Sequence, residues 1–201
     1  MRPAARGSRS ASEDMLLSPL MALMMWLLLW AAGLPETWSG IAADVKGRTG
    51  VCAVLLETGE RHSLRGGERF PMQSVYKLPI AMAVLAKVDA GALTLEQKVR
   101  VTKSDFVTPK QHSPIRDMHP HGGFDISVRE LLRYAVSESD GSASDVLLRL
   151  LGGPGKVQAY LAGLGVEGVR VADTEKAIGT DDSVQYRNWA TPESAVLLLS
   201  R

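Results

Sequence analysis

Several residue types are scarce in this chain of 201 residues, and each scarcity excludes a class of structure or function. The single cysteine, Cys52, excludes an intramolecular disulfide, and its apolar surroundings favour a small buried residue over a reactive thiol. Aromatic residues make up only 5% of the chain, which excludes a stacking platform for nucleic-acid bases. The four histidines are scattered without metal-ligand spacing, so the sequence predicts neither a metal nor a cofactor.

The charge balance narrows the choice of partners further. The formal net charge is +1, which gives no argument for nucleic acid or an anionic membrane surface as a partner. Hydrophobic residues make up 45% of the chain and charged residues 22%, which is typical of an ordinary globular protein. The length suits one domain and little more.

The first 34 residues have the pattern of a secretory signal peptide. Three arginines precede an apolar stretch from Met21 to Trp30, and the small residues at 31–33 follow it. The alternative is a retained membrane anchor, but the uninterrupted apolar run is shorter than the ~20 residues that a spanning helix needs. We expect cleavage at a site that the sequence leaves open. The mature chain, 35–201, is then released to the bacterial periplasm or exterior without stable membrane association.

The first part of the mature chain is predicted to form a helix, a hairpin and a second helix. Residues 35–44 predict a short helix, and strands at 49–57 and 61–64 flank a Thr-Gly turn. Residues 74–89 predict an apolar helix. Pro79 lacks a backbone N–H beyond the first turn of that helix, so we expect a local distortion there.

The second part of the mature chain is predicted to form loops between capped helices. Residues 103–125 and 165–190 predict loops, and a capping box of Ser127 and Glu130 begins a helix between them. Helices are also predicted at 142–151 and from Pro154 to about residue 161. Thr191 caps a last helix that has no stop signal before the chain ends, so we expect the N-terminal part of a longer protein.

One spacing carries chemistry. Ser74 and Lys77 form S-x-x-K at a predicted helix start, and residues three apart share a helical face, so the amine can reach the hydroxyl. A serine hydroxyl is a weak nucleophile and needs such a neighbouring base. Taken alone, the motif is weak, because it occurs by chance in many chains and favours a capping serine with a solvated lysine.

A second short motif follows about 60 residues later. Ser139-Asp140-Gly141 lies between two predicted helices, where a hydroxyl can pass a proton to a leaving nitrogen. S-D-N occurs together with S-x-x-K in class A β-lactamases and penicillin-binding proteins. By itself, S-D-G is also an ordinary helix cap.

Three longer stretches, in order, resemble class A serine β-lactamases. They are GERFPMQSVYKLPIAMAVLAKVDAG, ISVRELLRYAVSESDGSASDVLLRLLGGPGKV and DTEKAIGTDDSVQYRNWATPESA. The Q-Y-x-N-W motif in the third stretch resembles the sequences of the PER- and VEB-like extended-spectrum subgroup. The resemblance implies an α/β (α+β) fold, in which an antiparallel sheet with flanking helices lies beside a helical region and only the first two strands are present. It also implies a monomer that acts on a small-molecule β-lactam.

The resemblance implies a role for each of four catalytic residues. Ser74 would be acylated by the lactam carbonyl, Lys77 would help accept its proton, and Ser139 would relay that proton to the lactam nitrogen. Glu175 would be the base for the water that hydrolyses the acyl-enzyme. Its own surroundings, a charged loop, favour a solvated carboxylate for Glu175. A base near neutral pH needs burial or nearby charge.

The substrate-binding set that the resemblance implies is His112, Gly141 and Asp145. His112 aligns with an aromatic residue at the cleft mouth. Gly141 stands where the family has Asn, so it offers no amide to a substrate. Asp145 stands where Asn is commoner in the family, although the subgroup resemblance accommodates an Asp.

The predicted omega loop, which holds Glu175, also departs from the family pattern. Gly179 stands where many members have an Asn that holds the hydrolytic water, so another group must position the water or deacylation is slow. Asp173 and Asn188 replace an Arg–Asp pair. The usual salt bridge across the loop is therefore absent, and we expect the loop to be held differently.

No K-T-G motif occurs, and in the family that strand supplies an oxyanion donor and the middle of the sheet. We therefore expect residues 35–201 alone neither to fold stably nor to hydrolyse lactams, an expectation that nitrocefin turnover by them would refute. Two other functions remain open: a penicillin-interactive peptidase and an inactive penicillin-binding sensor. Glu175 discriminates, because only a lactamase needs it for deacylation.

Overall fold

The structure, a computed structural model, describes residues 34–201. The signal peptide predicted for residues 1–34 lies outside the described residues, apart from Leu34. Within 34–201, no helix combines the length and the apolar character that crossing a bilayer requires.

The helices and strands follow in this order. The helices are α1 Leu34–Asp44, α2 Lys77–Asp89, α3 Pro114–Met118, α4 Val128–Ser137, α5 Gly141–Leu151, α6 Pro154–Gly163, α7 Glu175–Ile178 and α8 Pro192–Leu199. The strands are β1 Val51–Val54, β2 Arg61–Leu64, β3 Phe70–Pro71, β4 Lys98–Val101, β5 Phe124–Ser127, β6 Val169–Arg170 and β7 Trp189–Ala190. Single 3-10 turns lie at Gln73–Tyr76, Lys103–Asp105 and Asp182–Arg187.

The predicted hairpin forms a two-stranded sheet that is flanked by two helices. Strands β1 and β2 pair antiparallel, with Val51 opposite Leu64, around a turn at Gly59 whose φ of +73° suits glycine. Helix α1 packs on β2 and α8 packs on β1. Cys52, expected to be buried, is only half-buried on β1, because the two-stranded sheet leaves part of its face open.

The helical region holds most of the core. Apolar side chains of α2, α4, α5 and α6 interdigitate, and the largest fully buried ones are Ile80, Leu131, Leu147, Leu148 and Leu161. Helix α5 contacts α2, α4, α6 and α7, so it lies at the centre of this packing. Helices α2 and α5, which flank the predicted motifs, are therefore closely packed within the described part of the chain.

The helix boundaries agree with the predicted caps. Ser127 accepts a hydrogen bond from Glu130 N at 3.2 Å at the start of α4, and Thr191 accepts one from Ser194 N at 3.2 Å before α8. Gly152, with φ of +94°, ends α5. The last helix was expected to continue to the final residue, but it ends at Leu199, with Ser200 as its cap.

Two other expectations need correction. Residues 103–125 are not all loop, because Ser113 caps the short helix α3 and β5 pairs with β4. Likewise, 165–190 contains β6, α7, a 3-10 turn and β7, and β7 joins β3 and β6 in a small sheet. These elements are only two to six residues long, too short for hydrophobic periodicity to reveal. Among residues 34–201, β1 and β2 alone form the hairpin of the predicted antiparallel sheet, and the other strands form two small separate sheets.

Candidate active site

Ser74 lies on a 3-10 turn that runs directly into α2. Residues three apart eclipse one another in a 3-10 helix, so Lys77 lies over Ser74. The Lys77 Nζ donates to Ser74 Oγ at 3.0 Å. Pro79 was expected to distort the helix, but α2 begins at Lys77, so the proline lies in its first turn, where it is tolerated. Ser74 is exposed while Lys77 is 3% exposed, so the hydroxyl faces solvent and the amine lies beneath it.

Ser139 meets the same two groups from the opposite side. Its hydroxyl donates to Ser74 Oγ at 2.7 Å, and Lys77 Nζ donates to Ser139 O at 3.0 Å and to its Oγ at 3.2 Å. Ser139 has φ of +54° and Gln73, next to the nucleophile, has φ of +47°. Such left-handed backbone is unfavourable for residues other than glycine and clusters at functional sites.

Asp140 fixes the turn that carries Ser139. Its carboxylate is fully buried and accepts hydrogen bonds from Ala143 N at 2.9 Å, Ile115 N at 2.7 Å and Ser113 Oγ at 2.9 Å. It is thus both the cap of α5 and a tie to α3. The middle residue of S-D-G therefore determines where Ser139 stands.

Glu175 reaches the site from the start of α7. Its Oε2 lies 3.6 Å from Lys77 Nζ and accepts a hydrogen bond from the Tyr76 hydroxyl at 2.9 Å. The Glu175 side chain is 19% exposed, so it is a half-buried, partnered carboxylate and not a solvated one. The four predicted catalytic residues therefore form one connected cluster.

The backbone that carries Glu175 is held by Asp145 on α5. Asp145 Oδ1 accepts from Glu175 N at 2.7 Å and Oδ2 accepts from Lys176 N at 2.9 Å. Burial raises the pKa of Asp145 to about 6, although these two bonds oppose the shift. Both oxygens face the loop, so Asp145 anchors Glu175 from below.

Asn188 replaces the absent salt bridge across the loop. Its Oδ1 accepts from Ala172 N at 2.7 Å and Asp173 N at 3.0 Å, and its Nδ2 donates to Asp173 O at 3.0 Å. Asn188 is 1% exposed. Asp173 pairs with exposed Arg187 at 3.1 Å, although its Oδ2 has no well-aligned hydrogen bond. The loop is held by polar contacts to backbone, as the missing pair led us to expect.

The two glycines that depart from the family pattern both permit close approach. A Cβ on Gly141 would lie 2.7 Å from Glu175 Cγ, so a side chain there would displace the glutamate. A Cβ on Gly179 would overlap the side-chain amide of Gln111. That amide donates to Glu175 O, while its oxygen accepts from Thr108 N at 3.0 Å. Gln111 therefore occupies the space that a side chain at 179 would need.

His112 lies at the edge of the cluster. Its side chain is exposed, with Nε2 2.9 Å from Glu138 O, and its carbonyl accepts from Gly141 N at 3.0 Å. The structure thus brings His112 beside the S-D-G turn. No group of three or more His, Cys, Asp or Glu residues able to hold a metal occurs in the described part of the chain.

Tyr76 and Gln111 are two site residues that sequence reasoning missed. Tyr76 stands at an unspecified position of S-x-x-K, where its ring is 0% exposed and looks like any core aromatic. Gln111 lies in a polar segment that predicted loop. Both contact Glu175, which follows 99 and 64 residues later, and no local pattern signals such contacts.

Comparison with known proteins places this arrangement in a family. The β-lactamase enzyme family matches residues 34–201. The chain is 42% identical over 130 residues to β-lactamase VEB-1 of Pseudomonas aeruginosa, a match that covers 65% of this chain and 43% of that enzyme. It is 40% identical over 134 residues to the extended-spectrum β-lactamase PER-1 of the same species, covering 67% and 43%.

The fold comparison agrees. A solved β-lactamase from Chitinophaga pinensis is 41% identical and superposes with a TM-score of 0.78, covering 82% of this chain and 60% of that one. The chain therefore spans about half the length of the curated relatives it matches. Family match, identity and fold together assign the chain to the β-lactamase enzyme family, as a class A member that is similar to the VEB-1 and PER-1 enzymes.

Proposed function

We propose that the complete protein hydrolyses the lactam ring of penicillin- and cephalosporin-type antibiotics through an acyl-enzyme on Ser74, and so gives antibiotic resistance. One observation carries the proposal: Ser74 Oγ lies within hydrogen-bond distance of both Lys77 Nζ, at 3.0 Å, and Ser139 Oγ, at 2.7 Å. A nucleophile between a base and a second hydroxyl has a route for its proton in each direction.

Acylation would use the buried amine directly. Lys77 in its neutral form takes the Ser74 proton as Ser74 Oγ attacks the lactam carbonyl carbon. Glu175 Oε2, at 3.6 Å, is close enough to take up the proton that otherwise holds Lys77 charged. The lactam C–N bond then breaks, and Ser139 delivers a proton from Lys77 to the leaving nitrogen. These contacts favour Lys77 over Glu175 as the group that deprotonates Ser74.

Deacylation would use the carboxylate. Once Glu175 has returned its proton to Lys77, the carboxylate takes a proton from a water molecule, whose oxygen bonds to the acyl carbonyl carbon. The bond between that carbon and Ser74 Oγ then breaks, and Lys77 gives a proton back to Ser74 Oγ. The half-buried position of Glu175 between Lys77 and Tyr76 supports this role. A general base must first be held within reach of the proton that it removes.

The substrate contacts are proposed for two of the three expected residues. His112 is exposed at the rim and suits contact with an antibiotic side chain, and Gly141 offers backbone alone, because a Cβ there would lie 2.7 Å from Glu175 Cγ. For Asp145 we propose loop anchoring in place of substrate contact, since both its oxygens accept backbone N–H groups. We further propose a monomer secreted to the periplasm or exterior.

The test is mass spectrometry of the protein, expressed from its complete coding sequence, during reaction with benzylpenicillin. We expect the parent enzyme to turn over, Glu175→Gln to accumulate an adduct of one substrate mass, and Ser74→Ala to form none. Deacylation indifferent to Glu175→Gln would indicate the peptidase instead. A stable adduct on the parent enzyme without turnover would indicate the sensor.

A further inference from the structure

Tyr76 is buried and yet carries a polar group that reaches the site. The side chain is 0% exposed, and its hydroxyl donates to Glu175 Oε2 at 2.9 Å. A phenylalanine would fill the same core volume without a hydroxyl that needs a buried partner. Burial, reinforced by the nearby carboxylates of Glu175 and Asp145, raises the pKa of Tyr76 well above its usual value, so the phenol stays a donor.

The two closest polar contacts of the Glu175 carboxylate fall on the same oxygen. Tyr76 donates to Oε2, and Lys77 Nζ lies 3.6 Å from Oε2. Among the described residues, Oε1 has no such partner. A carboxylate gripped at one oxygen keeps a single side-chain orientation and presents the other oxygen for proton transfer.

We infer that Tyr76 is a positioning residue, whose hydroxyl fixes the Glu175 side chain so that Oε1 faces the water of deacylation. The inference rests on the proposed function. In the step it serves, a water O–H bond breaks, the proton passes to Oε1, and the water oxygen bonds to the acyl carbon. The bond from that carbon to Ser74 Oγ then breaks, and Lys77 returns a proton to Ser74 Oγ. Tyr76 keeps its own proton throughout and touches no reacting atom.

The other charges near Glu175 do not supply the same restraint. Asp145 binds the backbone N–H of Glu175 and not its carboxylate. The neighbouring Lys176 turns away, with Nζ donating to Ser104 O at 2.9 Å. Lys77 is shared with Ser74 and Ser139, so it loses its hold on Glu175 whenever it moves a proton. Among residues 34–201, Tyr76 is thus the side chain that donates to the carboxylate and takes no part in the proposed proton transfers.

The experiment separates acylation from deacylation in Tyr76→Phe, expressed from the complete coding sequence. Losing one hydrogen bond to a charged group predicts deacylation slowed about tenfold, with acylation within about threefold of the parent. Acyl-enzyme then accumulates in mass spectra with benzylpenicillin. The acidic limb of the deacylation rate moves to higher pH, because the carboxylate loses a donor that stabilises its charge. Retained acylation shows that the variant is folded.

Two further variants make the outcomes distinguishable. Tyr134→Phe is the matched control, since it removes the same hydroxyl from a residue whose contact is the Met118 sulfur at 3.9 Å; it leaves both rates unchanged. Tyr76→Phe with parental deacylation and an unshifted pH profile overturns the inference. Failure of Glu175→Gln to accumulate adduct overturns the proposed role of Glu175 itself, whatever Tyr76→Phe does.

Discussion

The two sides of the site are built differently. On one side, Ser74, Lys77 and Ser139 stand on or beside α2 and α5, whose apolar faces are packed in the core. On the other, Glu175 stands on a loop held by side chains that bond to backbone, chiefly Asp145, Asn188 and Gln111. The helix side is positioned by many small apolar contacts, whereas the loop side depends on a few polar ones, each of which matters alone.

This contrast predicts that substitutions on the helix side stop acylation while leaving the fold intact. Lys77→Met keeps most of the volume of the buried side chain but removes the amine. We expect the acylation rate to fall by about 10²- to 10⁴-fold, the usual contribution of a positioned base. The variant should still unfold in one cooperative transition, but at a lower melting temperature, because the Glu175 carboxylate and the Ser139 carbonyl each lose a partner. An acylation rate within tenfold of the parent rate would contradict the proposed role of Lys77 as the base.

On the loop side, a single substitution should affect both stability and deacylation. Asn188→Ala leaves the N–H groups of Ala172 and Asp173 and the carbonyl of Asp173 unpartnered. We expect the free energy of unfolding to fall by about 3 kcal/mol in urea denaturation, and deacylation to slow more than acylation. Asn188→Asp keeps the oxygen that accepts from both N–H groups and loses the donor. Because the two N–H groups stabilise the new carboxylate, this variant should cost less. Equal costs for the two variants would contradict this account.

Asp145 makes the loop side sensitive to pH. Its pKa is raised to about 6 from 3.8, so the folded state binds a proton more tightly than the unfolded state. Stability from this group is therefore fully present below about pH 4 and is lost as the pH rises to about 6, by up to about 3 kcal/mol. Asp145→Asn removes this component, while losing one of two acceptors at every pH. Denaturation midpoints with the same pH slope in both proteins would refute the prediction.

The smallest expected effect tests the contact between Gln111 and Gly179. Gly179→Ala should lower the free energy of unfolding by about 1 kcal/mol, because the new methyl group displaces the Gln111 amide. In a Gln111→Ala background the same substitution should be neutral or stabilising, since the φ of −73° at Gly179 suits alanine. A double-mutant cycle measures the coupling, and additive effects would show that the two residues do not interact.

The same division explains what the sequence could predict. The spacing of Ser74 and Lys77 and the caps at Ser127 and Thr191 are local signals, and each matches a helix start in the structure. The omega loop was predicted to need another support, but its identity was not, because Asn188 acts through contacts with residues 15 and 16 positions away. No periodicity encodes such bonds.

The shortest strands could not be predicted from the sequence for a related reason. Strands of two residues, such as β3 and β7, exist because they pair across more than 100 residues and not because of their own composition. The junction at Lys77 was misjudged similarly, since Pro79 looks like a defect until the preceding 3-10 turn makes it part of a helix start.

The positive φ angles of Gln73 and Ser139 have an evolutionary consequence. Selection for heat resistance would favour glycine at both positions, because it relieves unfavourable backbone at no steric cost. At 73 the exchange forfeits a side-chain tie to Gln185 but leaves the nucleophile in place. At 139 it deletes the hydroxyl that contacts Ser74. Selection for heat resistance can therefore favour Gln73→Gly. Ser139→Gly would be rejected for as long as turnover is also under selection.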